Sequence, residues 1–243
     1  MKKTSFTFTA LLVLIFSSFI ASETAKAAAG NPNANSNVFF YIPHQDDEAL
    51  TFGVSIMAHV QAGHNVHVVL LTGGTASVIR TSLGMTKTEF SQARNREFAL
   101  SLAIMGVKPE NIIYHNYEDG SLSISELEKL IRKYENYHPN AKHKVFSYTD
   151  WHSDHKNTEI ALKNLQISGV VTDARYYVRR GENPVGFNLI KENLPSYYRP
   201  FLIAVSAAYN IENNRLGLYG IGHKSVKDSF NEFEIQPMSR YHK

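Results

Sequence analysis

The chain contains no cysteine among its 243 residues. That absence excludes a disulfide framework, a thiolate nucleophile and a lipid-modified cysteine at a leader cleavage site. Charge of one sign is not in excess either, since 25 basic residues against 22 acidic ones leave a formal net charge of +3. Such a balance supplies no basic footprint for a phosphate backbone, so nucleic acid is not expected as a partner. Long hydrophobic runs are scarce. The candidate, Phe6 to Ala21, spans 16 residues and includes Thr7, Thr9, Ser17 and Ser18. A membrane-spanning helix needs roughly 20 apolar residues.

That short run lies between Lys2-Lys3 and the small-residue segment Ala25-Lys26-Ala27. A charged start, an apolar centre and an A-x-A site form the three-part pattern of a secretory signal peptide. The expectation is a cleaved leader over residues 1–27, a secreted or cell-envelope location, and no stable membrane insertion afterwards. Loss of Lys2, Lys3, Lys26 and Glu23 lowers the formal charge from +3 to +1. Residues 28–36, AAGNPNANS, read as a flexible polar spacer. Residues 37–243 read as one domain, because 43% apolar and 19% charged residues suit a single globular core.

Within that domain, short β-branched or aromatic runs alternate with amphipathic stretches. Val38 to Ile42, Val66 to Leu71, Ile112 to His115 and Val145 to Tyr148 read as strands. Glu48 to Ala62, Glu89 to Met105, Ser123 to Tyr134 and His155 to Leu165 read as helices, the third opened by a Ser123–Glu126 capping box. This alternation implies βαβ units and an α/β, Rossmann-like doubly wound, mainly parallel sheet with helices on both faces. Beyond Val170 the pattern weakens, and Arg175–Val178, Phe201–Val205 and Leu216–Ile221 are candidate further strands.

Two segments carry chemistry. Pro43-His44-Gln45-Asp46-Asp47-Glu48 follows the first strand, and Trp151-His152-Ser153-Asp154-His155 follows the fourth. Each alone has an ordinary explanation, as helix-capping carboxylates or as surface histidines. In a doubly wound sheet of order 3-2-1-4-5, however, strands one and four are neighbours at the switch point where ligands bind. His44, Asp47 and His155 then make two imidazoles and a carboxylate, a catalytic zinc set that leaves a position for water. Asp46 is the carboxylate beside them that can take a proton from that water. His152 is left to stabilise an oxyanion or protonate a leaving amine. His115 and His223 are further candidate neighbours.

The paired segments resemble the hallmarks of the PIG-L, or LmbE-like, family of zinc-dependent de-N-acetylases, [A/P]HPDDE and HPDH. Gln45 and Ser153 stand where the family usually has proline. Arg94-x-x-Glu97 through Met105-Gly106 is similar to the family's RxxEL…LG helix, and Asp119-Gly120 to its DG loop. The resemblance runs from about Val38 to Leu165. It implies Zn2+ held by His44, Asp47 and His155, Asp46 as general base, and His152 as electrostatic partner. It further implies that Asp154 orients His152, and that Arg94 and Asp119 contact the substrate. Two departures are Thr72-Gly73-Gly74, where a Gly-Glu pair is usual, and Asp150, where some members have tyrosine.

The function implied is removal of an acetyl group from an N-acetylglucosaminyl-type substrate, with an N-acetylated amino sugar as the partner. Tyr176, Tyr177, Tyr197, Tyr198, Tyr209 and Tyr219 suit either stacking on sugar rings or core packing. Two alternatives share these residues: a zinc amidase acting on a non-sugar amide, and a non-catalytic glycan-binding module on the same fold.

Overall fold

The computed structural model describes residues 35–243. The leader and all but the last two residues of the spacer lie outside the described residues. Asn35 and Ser36 are tied down, Asn35 N–H donating to Gly63 O at 2.9 Å and Ser36 O accepting from Asn65 N–H at 3.0 Å. Among the described residues, no helix is long and apolar enough to cross a membrane.

In chain order the main elements are β1 (Asn37–Ile42), α1 (Asp47–Leu50), α2 (Gly53–Gln61), β2 (Asn65–Thr72), α3 (Val78–Ser82), α4 (Lys87–Ile104) and β3 (Ile112–Tyr117). There follow α5 (Ile124–Tyr137), β4 (Lys142–Phe146), α6 (Ser153–Ile167), β5 (Asp173–Tyr177), β6 (Ile190–Lys191) and α7 (Arg199–Ala208). The chain ends with the short strands β7 (Glu212–Asn213) and β8 (Leu218–Tyr219), then α8 (Ile221–Ile235) and β9 (Arg240–His242). The main sheet has the order β3-β2-β1-β4-β5-β9-β6. Its first five strands are parallel, and β9 runs antiparallel to both β5 and β6. This is the doubly wound α/β sheet expected, with β1 and β4 side by side.

The VFFYI run is buried on both faces because alternate side chains enter different layers. Val38, Phe40 and Ile42 pack with α2, α4, α7 and α8 through Ile56, Phe98, Leu202 and Phe233. Phe39 and Tyr41 pack on the opposite face with α5 and α6 through Leu130, Ile131 and Leu162.

Several local expectations are corrected. Phe201–Val205 is helical, not a strand: Pro200 sits in the first turn of α7, and Phe201, Leu202 and Val205 recur at helical spacing on its buried side. Within Leu216–Ile221 only Leu218–Tyr219 is strand, and α8 begins at Ile221. The single helix expected over Glu48–Ala62 is interrupted at Thr51-Phe52. The Ser123 side chain makes no capping bond; the capping box forms instead between Thr86 and Glu89 at the start of α4. Tyr176, Tyr177, Tyr198 and Tyr209 are fully buried and belong to the core.

One buried carboxyl joins the first motif to the helices around it. Glu48 Oε1 accepts from Ser101 Oγ of α4 at 2.7 Å and from Tyr209 OH, after α7, at 2.6 Å. Its Oε2 accepts the Asp46 N–H at 3.1 Å. Burial pushes the carboxyl up to about 8. Glu48→Ala leaves three buried donors without an acceptor, so we expect a stability loss of about 3 kcal/mol or more in urea unfolding. A loss below about 1 kcal/mol would show that Glu48 does not join these elements.

Candidate functional site

β1 ends at Ile42, and the chain turns sharply through Pro43 to Asp47 before α1. Asp46 adopts φ 108°, in the region that favours glycine. Arg94 holds it there. Its Nη2 donates to Asp46 Oδ2 at 2.9 Å and, closely, to the Gln45 carbonyl, while Nη1 donates to the Gly74 carbonyl at 3.2 Å. Gly74 has φ +62°, and a Cβ there would collide with the Arg94 guanidinium and Gln45 Oε1. The Gly-Gly sequence after β2 is therefore what admits Arg94 to this position.

Three atoms converge at the crevice between β1 and β4. His44 Nδ1 lies 3.2 Å from His155 Nε2 and 3.3 Å from Asp47 Oδ2, and His155 Nε2 lies 3.2 Å from the same Asp47 oxygen. Zinc–ligand bonds of about 2.0–2.1 Å arranged tetrahedrally would set neighbouring ligand atoms about 3.3–3.4 Å apart. The triangle thus has the edge lengths of one face of a tetrahedral divalent-metal site.

Each imidazole is oriented from behind by carboxylates. His155 Nδ1 meets Asp150 Oδ2 at 2.9 Å. His44 Nε2 meets Asp119 Oδ1 at 3.1 Å and Asp154 Oδ2 at 3.3 Å. With the outer nitrogens donating to carboxylates, the inner nitrogens keep their lone pairs for the centre. Asp154 is itself fixed by the Gly120 and Leu122 N–H groups at 2.8 and 3.0 Å, and Asp119 by the Ala76 N–H at 2.7 Å. Phe146, at the end of β4, stacks on His155 with ring centroids 3.9 Å apart. His152 stands edge-on to His44 at 4.7 Å, and its nitrogen also falls within reach of a metal shared by His44 and His155.

The electrostatics describe a place that wants positive charge. Burial opposes a charge on His44, yet the carboxylates of Asp119, Asp154 and Asp47 outweigh it and hold the imidazole well above its usual range. For His155 burial again opposes, and Asp47 and Asp150 raise it to about 9. Asp47 goes far below the usual carboxylate range, the two imidazoles overcoming its burial. Asp46 moves the other way, to about 6, because burial exceeds the help it receives from Arg94.

The structure therefore brings His44, Asp46, Asp47, His152, Asp154, His155, Arg94 and Asp119 to one crevice, with one difference from expectation. The Asp154 carboxylate faces His44, not His152; His152 Nδ1 instead accepts the Asp154 backbone N–H at 3.2 Å. Arg94 is buried against Asp46, its Nη1 and Nη2 bonded to the protein, and it lines the same crevice as His44 and His152. Sequence reasoning missed Asp150 as the partner of His155, although its place five residues ahead, just before a helix start, was a usable signal. It also missed the link made by Glu97, which accepts the Ile221 and Gly222 N–H groups at 2.8 and 3.0 Å and so caps α8. His115 and His223 stand elsewhere, beside Tyr117 and Phe230. His59, His67, His143 and His242 are buried, His59 in the last turn of α2.

A Rossmann-like sheet with a His–Asp–His triangle at its switch point defines a class of α/β enzymes with a candidate metal centre. Residues 39–165 match the family PIG-L: GlcNAc-PI de-N-acetylase, so the chain belongs to the PIG-L family and is a de-N-acetylase-type enzyme. No curated protein matches it by sequence. Among solved structures, a deacetylase triple mutant of the teicoplanin biosynthetic pathway is 18% identical with a TM-score of 0.63, over 82% of this chain and 89% of that one. An N,N′-diacetylchitobiose deacetylase from Pyrococcus horikoshii is 16% identical with a TM-score of 0.58, over 96% of this chain and 86% of that one. A 4-carboxy-2-hydroxymuconate hydratase from Pseudomonas putida shares the fold at 15% identity and a TM-score of 0.57, over 85% of this chain and 94% of that one.

Arg94→Met should cost about 3–5 kcal/mol, because it strands the buried Asp46 carboxylate and frees a strained turn. Chemical unfolding of the metal-free variant measures this. A cost under about 1 kcal/mol would mean that the turn holds itself.

Proposed function

We propose that this protein is a zinc-dependent hydrolase that removes the acetyl group from N-acetylglucosaminyl-type substrates. The triangle of His44 Nδ1, Asp47 Oδ2 and His155 Nε2 carries the reading, since its edges and donor types suit zinc with a position left for water. Zinc bound there would bring the pKa of water down to roughly 7 and polarise the acetyl carbonyl. The family match and the deacetylases among the structural neighbours support an N-acetyl amide as the bond cleaved. The three-part leader favours a substrate outside the cell or in its envelope.

The protein's own groups divide the remaining work. Asp46 commits Oδ2 to Arg94, leaving Oδ1 to accept the proton of the attacking water. Its pKa of about 6 is close to neutrality, which suits a general base. His152 Nδ1 accepts the Asp154 N–H, so the neutral ring carries its proton on Nε2. That N–H can donate a hydrogen bond to the developing oxyanion, while the proton that Asp46 takes from the water is the one available to the leaving amine. Asp119, Asp150 and Asp154 hold the imidazoles. A pure glycan-binding module has no use for a buried, clamped carboxylate such as Asp46.

Asp46 and Asp47 are adjacent and chemically alike, so exchanging each for asparagine separates base from ligand. Asp47→Asn should weaken zinc binding. Asp46→Asn should retain stoichiometric zinc and lose roughly 10²–10⁴-fold in acetate release from N-acetylglucosamine or N,N′-diacetylchitobiose. Turnover by Asp46→Asn within threefold of the parent would pass the role of base to His152.

Zinc must also displace the protons that His44 and His155 hold in its absence. Both imidazoles are held above the usual imidazole range, so binding near neutral pH should release protons, seen by calorimetry in buffers of different ionisation enthalpy. Affinity should then fall as pH drops, by about tenfold per pH unit for each displaced proton. Proton-neutral binding would contradict the ligand assignment.

A further inference from the structure

Helix α8 lies wholly beyond the family match, yet it reaches the crevice. His44, Asp46 and His152 line one part of that cleft of about 330 Å³, and Ser225 and Val226 of α8 line another. None of the groups assigned to zinc or to proton transfer comes from this helix.

Ser225 behaves unlike the other hydroxyls of the protein. A serine or threonine in a helix ordinarily donates back to a carbonyl three or four residues earlier. Ser82, Thr158 and Ser168 do so, to the Ile79, His155 and Leu165 carbonyls at 2.8, 2.7 and 3.1 Å. Ser55, Ser101 and Ser206 are buried and reach side chains instead, those of Tyr177, Glu48 and Glu234, each at 2.7 Å. Ser225 Oγ does neither. Among the described residues it is the one buried serine or threonine hydroxyl without a hydrogen-bond partner. The break in α8 at Val226 falls beside it, on the crevice wall.

A hydroxyl buried without a partner forfeits its bonds to water and opposes folding, whereas alanine would fill nearly the same space without that cost. The cost is offset where a ligand supplies the missing partner. A second atom on the same wall is in the same condition. Arg94 commits Nη1 and Nη2 to the protein, but its buried Nε has no partner. Asp46 and Asp119 line the crevice too, and their carboxylates disfavour an anion there. Val78 and Trp151, 81% and 71% exposed, add apolar surface at its edge. Open hydrogen-bonding atoms beside apolar surface suit a neutral, hydroxylated ring.

We infer that Ser225 is a substrate-binding residue, whose hydroxyl bonds a ring hydroxyl of the sugar that carries the acetamido group to the triangle. Serine has three staggered positions about one side-chain bond, so rotation of that bond alone redirects the hydroxyl. The identity of the sugar rests on the deacetylase reading, but the role of the hydroxyl is read from binding and stability.

Trp151 is the only tryptophan in the chain and lines the crevice, so intrinsic fluorescence reports on occupancy. The zinc-loaded Asp46→Asn protein would be titrated with N-acetylglucosamine, alone and with Ser225→Ala added. Ser229→Ala, on the same helix but off the crevice wall, is the control. Ser225→Ala should weaken binding about five- to tenfold, as loss of one hydrogen bond would, and Ser229→Ala should leave it unchanged. The urea midpoint of Ser225→Ala should stay level or rise, because no protein group is stranded. A hydroxyl with a purely structural role would lower it. Sugar binding within twofold of the Ser225 protein, no sugar binding by either, or a lowered midpoint would overturn the inference. Acetate release by the unsubstituted protein is scored separately. Weakened binding in Ser225→Ala without any acetate from the unsubstituted protein would sink the deacetylase reading and leave Ser225 in its role. Acetate release together with unchanged binding would sink the role of Ser225 alone.

Discussion

Asp46 sits at φ 108° on a turn between a buried strand and a buried helix, a conformation that costs about 1–3 kcal/mol for a residue with a side chain. Such a turn persists only if its surroundings over-determine it. Here Arg94 binds the Asp46 carboxylate and the preceding carbonyl from one side, and Glu48 accepts the Asp46 N–H from the other. The reward is directional. Two consecutive carboxylates are turned apart, so Asp47 enters the triangle with His44 and His155 while Asp46 stays 2.9 Å from a guanidinium. The long helix α4 performs a second task from the same face. Arg94 and Glu97, three residues apart, reach the motif turn and the start of α8 respectively.

Charge balance explains why so many acids surround two histidines. Asp47 supplies the inner negative charge, and Asp119, Asp150 and Asp154 stand at the outer ring nitrogens. In a buried setting such carboxylates are tolerable only if cations neutralise them. Protons on His44 and His155 meet that need, and a divalent ion at the inner nitrogens would meet it with the same two charges. The site is thus built around a positive centre, which favours a metal over a neutral ligand at the triangle.

Much of this was legible in the sequence. The VFFYI strand, the VHVVLL strand and the order that sets β1 beside β4 follow from hydrophobic runs and from the handedness of crossover connections. The HQDDE and HSDH segments gave the inner residues, because two histidines and paired carboxylates at neighbouring strand ends have few other uses. The outer contacts were not legible. Asp154 follows His152 and precedes His155, yet it serves His44, which is 110 residues away in the chain. Only the path of the Gly120–Leu122 loop, whose N–H groups fix the carboxylate, decides that. Arg94 was visible as part of RxxE, but whether it faced a ligand or the protein depended on Gly74 lacking a side chain. The Phe201–Val205 run misled because an apolar stretch of five residues carries no period long enough to separate strand from buried helix.

The C-terminal third lies beyond the family match, which ends at residue 165, and it closes the site rather than supplying its chemistry. Tyr209 anchors Glu48 from behind α7, and Glu97 fixes the start of α8. From that anchored start, α8 brings Ser225 and Val226 to the wall of the crevice, at a point where Val226 leaves helical geometry (φ −140°, ψ 49°). A hydratase and several deacetylases share this fold at low identity, so the sheet alone does not choose the reaction. The choice must come from what occupies the strand ends and what roofs them. In this chain the strand ends present a His–Asp–His triangle with a clamped carboxylate, and α8 and Trp151 border it. Substrate differences within the family should therefore concentrate on the segments that border the crevice, while the buried clamp beneath it stays constrained by the turn it must hold.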